Sequence, residues 1–205
     1  MSPRKQGNGA RGTNGDTPSD TRNVARLAQQ AADGTLLYAT KNPLPAETRA
    51  DAVKLLNNRL ADCIDLQSQT KQAHWNVKGP MFIGLHKLFD EIYEATGEYV
   101  DLIAERVVQL GGIAEGTTRV AAQRSSLSEY PLVISTGEEH VAAMSDVLAE
   151  FSAKARAAID ELEELEDPDS MDILTEVSRG VDQWLWFVEA HQQTRPASTE
   201  GRSQR

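Results

Sequence analysis

The chain has a single cysteine, Cys63, so no disulfide can form within it. Aromatic residues make up only 5 % of the sequence, few for a protein built on sheets, whose strands draw on aromatic and β-branched side chains. No eighteen apolar residues run together, and a transmembrane helix is not expected. The opening MSPRKQGNGARGTNGDTPSD holds no apolar segment of the kind a secretory signal needs, which makes the cytoplasm the expected location. Glu-x-x-His motifs are missing too: three residues before the four histidines stand Lys71, Ile83, Gly137 and Val188. A bundle that holds two metal ions inside one subunit uses a pair of those motifs, so any metal site here must be assembled differently.

Within 205 residues there is room for one domain with a sizeable core and two tails. Alanine, leucine, glutamate and glutamine are common, which favours helices. The net charge of −10 is unevenly spread. Residues 1–26 carry +3, from Arg4, Lys5, Arg11, Arg22 and Arg26 against Asp16 and Asp20. Residues 192–205 carry +2, which leaves −15 on the body between them. Such a body repels nucleic acid and draws cations, whereas the ends do the reverse.

Residues 1–33 read as a flexible basic arm, rich in Gly, Asn, Ser, Thr and Pro and too poor in apolar groups to offset the entropy of ordering. A short helix over Val24–Ala32, ending at Gly34, interrupts it. The domain is expected over residues 34–192, and residues 193–205 return to tail composition. A first long helix starts near Ala46, behind Pro43 and Pro45, carries Val53, Leu56, Leu60, Ile64 and Gln67 toward His74 and Trp75, and stops at Gly79-Pro80. Cys63 lies on its apolar stripe, the place of a buried thiol. A second spans Met81–Leu110, with Leu85, Phe89, Ile92, Thr96, Val100, Ile103 and Val107 at threes and fours, and ends at Gly111-Gly112. The connection from Ile113 to Thr136 is long and includes a short helix near Val120–Arg124. Thr136 and Glu139 form a capping box for a third long helix along Val141, Met144, Leu148, Phe151, Ala155, Ile159 and Leu162. Asp167-Pro168 opens a fourth, with Ile173, Val177, Val181, Trp184 and Val188 facing inward. Four helices with one long connection between the second and third make an all-α, ferritin-like four-helix bundle.

His86, Asp90, Asp101 and Glu105 share one face of the second helix, within an arc of about 100°. Imidazole with carboxylate suits iron, manganese or zinc. At about 1.5 Å per residue, however, His86 and Glu105 stand nearly 30 Å apart along the axis, and each pair is half a site. A second copy of the helix, antiparallel across a twofold axis, would bring His86 and Asp90 of one chain to Asp101 and Glu105 of the other. His140 in the first turn of the third helix and His191 at the end of the fourth are assigned to solvent and to the helix C-terminus, not to metal.

The segment KQAHWNVKGPMFIGLHKLFDEIYEATGEYVDLIAERVVQLGG, beginning at Lys71, and the later DILTEVSRGVDQWLWFVEAH closely resemble the Dps proteins, small ferritin-like DNA-protecting proteins of starved bacteria. The likeness covers about residues 34–192. It implies a hollow homododecamer of tetrahedral symmetry that oxidises Fe(II), preferentially with hydrogen peroxide, at two-iron sites between subunits, and stores the ferric mineral. His74 and His86 from one subunit, with Asp101 and Glu105 from its partner, match the family's ligands. Asp90 matches the acid of a second, weaker metal position, and Trp75 the neighbouring tryptophan that intercepts radicals. Zinc fits the same donors. Asp169 and Asp172 align with acids of threefold ion-entry pores, with Glu176 and Asp182 behind them, and Glu94 is a candidate for mineral nucleation. The basic arm, in twelve copies, would bind DNA without sequence preference and place the particle with the nucleoid. A second reading is a nucleoid-packing, DNA-binding protein whose metal site is structural or vestigial.

Overall fold

The computed structural model describes residues 18–32 and 36–193, and the basic residues Arg4, Lys5 and Arg11 lie outside them. Six helices follow in order: α1 Pro18–Ala32, α2 Ala46–Asn76, α3 Phe82–Gln109, α4 Thr118–Arg124, α5 Gly137–Glu164 and α6 Pro168–Glu189. Among the described residues there is no strand, only an isolated bridge between Lys78 and Thr136. The helix expected over Val24–Ala32 begins six residues earlier, with a proline whose fixed φ suits a first turn. Residues 18–22, read in the sequence as part of an unstructured arm, are therefore helical.

Side-chain caps mark the starts of α5 and α6. Thr136 accepts from the Glu139 backbone at 3.2 Å while Glu139 returns a carboxylate to the Thr136 backbone at 2.9 Å, completing the capping box. Asp167 caps α6 through the Ser170 backbone, with Pro168 next in the chain. After α3 the chain turns at Gly111, where φ is +88° and a Cβ would stand 2.7 Å from the Tyr38 carbonyl oxygen. Only glycine fits such a turn without displacing a neighbour.

α2 packs along α3 and α5 along α6; the two pairs meet through α2 on α5 and α3 on α6. Phe89, Phe151, Leu56, Leu60, Met144 and Leu148 fill the space between them, all without solvent exposure. The long connection is held by polar groups of α2. Asn57 donates to the Ile113 carbonyl at 3.0 Å and accepts from the Glu115 backbone at 2.9 Å. Asp62, fully buried, accepts from the Ser126 backbone at 2.7 Å and its hydroxyl at 3.1 Å. Gln69 donates to the Ser128 carbonyl at 3.0 Å. These bonds satisfy a strap that has no ladder of its own.

Two buried polar side chains join separate elements. Arg106, on the core side of α3, donates from Nη2 to Asp167 at 2.8 Å and from Nε to the Ser170 hydroxyl at 2.8 Å, tying the end of α3 to the start of α6. His140, expected at the solvent side of its helix, is 1 % exposed instead. It occupies the fourth position of α5, one turn in, where the face points at the connection, and its Nδ1 pairs with the Tyr130 hydroxyl at 2.7 Å. Burial holds the imidazole below the ordinary histidine range, against the pull of the Asn76 carbonyl and Glu139.

Removing Asp167 leaves the buried Arg106 with only the exposed Asp169 carboxylate, 3.8 Å away, as a counter-charge. Asp167→Ala is therefore expected to cost about 3–5 kcal/mol, read as a shift of the urea unfolding midpoint; a loss within about 0.5 kcal/mol, the scale of ordinary surface changes, would refute the role given to this pair. For His140 the folded state resists a proton that the unfolded chain accepts, so stability falls as pH drops below the ordinary histidine value and is unaffected well above it. Unfolding compared at pH 7.5 and 5.5 should show that decline in the wild type and a smaller one in His140→Gln.

Candidate metal centre

The last turn of α2 and the first turns of α3 carry His74 and His86, joined by the short turn over residues 77–81. Gly79 adopts φ +101° there, which lets the chain reverse within five residues. The two histidines then face one another reciprocally. His74 Nδ1 donates to the His86 carbonyl at 2.7 Å, and His86 Nδ1 donates to the His74 carbonyl at 2.8 Å. A carbonyl can only accept, so both rings carry a proton on Nδ1, and Nε2 is the nitrogen left to face a metal. The rings stack with centroids 3.7 Å apart and 22° between planes. Phe82 flanks His86 at 5.1 Å between ring centroids.

Asp90 lies one turn after His86, with its Oδ1 3.8 Å from His74 Nδ1. The same oxygen is bound by the Lys71 ammonium, which the sequence reading passed over as a ligand-face residue. Lys71 stands one turn before His74, and that i, i+3 spacing was the available signal. Its Nζ also lies 4.5 Å from the centre of the Tyr93 ring. Bound to Lys71, the Asp90 carboxyl is held below the usual carboxylate range.

Asp101 and Glu105 are brought near neither histidine. Both are exposed on α3, in the half of the helix remote from His86. Among the described residues no three His, Cys, Asp or Glu side chains of one chain gather closely enough to hold an ion. Each end of the α3 face is bordered by exposed apolar groups. Trp75 (66 % exposed), Met81, Phe82 and Ile83 surround the histidine end. At the carboxylate end Val108 is exposed and lines, with Ala104, Glu105, Gln109 and Ala114, a shallow concavity.

The remaining candidates are distributed over the surface. Asp169, Asp172 and Glu176 are exposed along one side of the start of α6, and the Asp169 carboxylate lies 3.8 Å from Arg106. Asp182 is occupied within the chain: it pairs with Arg156 and accepts from the Ser152 hydroxyl at 2.7 Å. Glu94 is exposed on α3, and Arg22 and Arg26 are exposed on α1. His191 donates from Nδ1 to the Phe187 carbonyl at 2.9 Å, at the end of α6 as expected.

A bundle of four long helices with a long connection between the second and third defines the ferritin-like class, and the family model described as Ferritin-like domain matches residues 53–196. The DNA protection during starvation protein of Agrobacterium fabrum is 43 % identical over 156 residues, 76 % of this chain and 96 % of that one. The Dps structure of Mycobacterium smegmatis superposes with a TM-score of 0.74 at 30 % identity, covering 82 % of this chain and 96 % of its own. That of Microbacterium arborescens Dps in its high iron form does so with a TM-score of 0.68 at 32 % identity, covering 76 % and 99 %. The chain belongs to the Dps family.

Proposed function

We propose that this protein oxidises Fe(II), preferentially with hydrogen peroxide, at sites shared between twofold-related protomers, and stores the ferric product inside a hollow shell of twelve subunits. The observation that carries the reading is the division of one donor set into two remote halves on a single helix face, each half bordered by exposed apolar side chains. Antiparallel pairing of two α3 helices would satisfy both at once. It would set His74, His86 and Asp90 against the other chain's Asp101 and Glu105, and cover Trp75 and Phe82 with the Val108 concavity. A relative solved in a high iron form supports iron as the substrate.

The chemistry follows from the donors. Two neutral imidazole nitrogens hold Fe(II) without adding charge, while carboxylates favour the more highly charged product ion and so promote loss of an electron. Two ferrous ions each give up one electron; one peroxide takes both, its O–O bond breaks, and with two protons it leaves as two waters. Paired delivery avoids hydroxyl radical. Trp75, beside His74 and exposed in the single chain, is placed to give up an electron if an unpaired oxidant escapes. The exposed acids of α6, repeated around a threefold axis, would concentrate ferrous ions at an entrance.

Mixed assembly tests the sharing. Particles of His74→Ala/His86→Ala chains alone, or of Asp101→Asn/Glu105→Gln chains alone, should lack peroxide-driven Fe(II) oxidation. Particles reassembled from an equal mixture should recover roughly a quarter of wild-type sites, because half of randomly formed pairs are mixed and each holds one intact site. Absence of recovery in correctly assembled mixtures counts against the shared site, as does activity in either parent.

The basic arm supports a second activity of the same particle, sequence-independent DNA binding in the nucleoid-containing cytoplasm. Arg22 and Arg26 are exposed one turn apart on α1, and Arg4, Lys5 and Arg11 precede them in sequence. Each arm is weakly charged, but twelve on one particle add their phosphate contacts. Deleting residues 1–26 should abolish retardation of duplex DNA at low salt and leave Fe(II) oxidation intact. Retardation without oxidation in the full chain would favour instead a nucleoid-packing protein with a structural metal site.

A further inference from the structure

Four carboxylates line one groove where α5 meets the long connection: Glu129 from the connection, and Glu139, Asp146 and Glu150 from a single face of α5. The groove has a volume of ≈ 580 Å³ over a floor that includes Ile134 and Val147, and among the described residues no lysine or arginine lines it. Two of the acids are used by the fold. Glu139 closes the capping box, and Glu150 accepts from the Ser128 backbone at 3.0 Å. Glu129 and Asp146 are exposed and cap no helix. The end of the described chain is fastened beside one end of this groove. Gln192 donates from Nε2 to the Glu138 carbonyl at 2.7 Å, which sets the chain that follows α6 next to Glu139. The sequence then continues TRPASTEGRSQR, with Arg195, Arg202 and Arg205 against Glu200.

We infer that the acidic groove is the docking site of residues 194–205 of the same chain, whose arginines pair with its carboxylates while Pro196 and Ala197 lie on its apolar floor. The charges are complementary, +2 on the segment against −4 on the groove. The reach is sufficient. Glu139 and Glu150 stand about 17 Å apart along α5, and the chain from Gln193 to Arg202 spans up to about 30 Å when extended. Arg195 therefore falls at the Glu139 end, and Arg202 reaches Asp146 and Glu150. The Gln192 tether gives this segment a higher effective concentration at the groove than any segment of another chain has. Once docked, its positive charge is neutralised by the body, and the N-terminal arm is left as the basic element open to phosphate.

A disulfide trap in the assembled protein tests the contact. Ala142→Cys, at an exposed position of the groove, is combined with Ser198→Cys; the native Cys63 is fully buried and does not compete. Under mild oxidation at about 20 mM salt the bond should form within one chain, read as a monomer on a non-reducing gel and as a linked peptide pair by mass spectrometry. Glu129→Gln with Asp146→Asn should slow its formation at least about threefold, because exposed ion pairs are lost, and about 0.5 M salt should remove the difference between the two backgrounds. Should that variant fail to assemble, as judged by sedimentation, Arg195→Gln with Arg202→Gln makes the same comparison from the other side of the contact. Deleting residues 1–17 should leave the rate unchanged. The inference is overturned if the disulfide joins two chains, if neutralising the acids or the arginines leaves the low-salt rate as it was, or if the difference persists in high salt. Faster trapping after the deletion would make residues 1–17 the occupant and overturn it as well.

Discussion

Everything in the candidate centre depends on two hydrogen bonds that run between the same pair of residues in opposite directions. His74 and His86 each give their Nδ1 proton to the other's carbonyl. That exchange is available only where the end of α2 and the start of α3 lie side by side, so it records the turn between them as much as the site. It fixes the tautomer and the ring planes before any ion arrives. Less ordering is then left to be done on binding, which is how a site of few donors retains affinity. The His74 carbonyl belongs to the last turn of α2, where intrahelical donors run out, and the His86 imidazole supplies what the backbone lacks there.

Charge in this molecule is partitioned according to burial. Deep pairs are closed and structural: Arg106 with Asp167, and Asp62 with the Ser126 backbone and the nearby Arg59. Such groups fix which surfaces meet and leave no charge to spare. The exposed carboxylates lie outside, along α3 and at the start of α6, where their field reaches solvent. A chain organised in this way uses its buried ions for shape and leaves its exposed ones to the solvent. Lys71 and Asp90 combine the two habits, partly buried and next to the candidate metal donors.

Most of the bundle was legible in the order of residues, for local reasons. Helix ends were marked by Thr136 with Glu139, by Asp167-Pro168 and by Gly111, each of which acts within a turn of itself. The ligand face could be drawn because His86, Asp90, Asp101 and Glu105 share one helix, and a single period relates them. What escaped depends on distant partners. Arg106 reads as a surface residue until Asp167, 61 positions away, is set beside it. His140 is buried by Tyr130 and the connection it packs under, not by its own helix. Lys71 shows an unremarkable spacing to His74, and its meaning comes from Asp90 across the interhelical gap. The earlier start of α1 reflects Pro18, whose helix-initiating role was outweighed in the sequence by polar composition.

Cys63 sits between α2 and α3 with its sulfur 3.7 Å from the Thr96 carbonyl and no exposure at all, and burial pushes its thiol well above the ordinary range. A thiol in that state contributes almost no thiolate, the form that oxidants attack. In a particle proposed to draw peroxide toward iron, the only sulfhydryl in each subunit is thus sealed on the far side of a packed interface. It is spared sulfenic and sulfinic damage while the neighbouring chemistry turns over, and it would register such damage only once the helices had come apart.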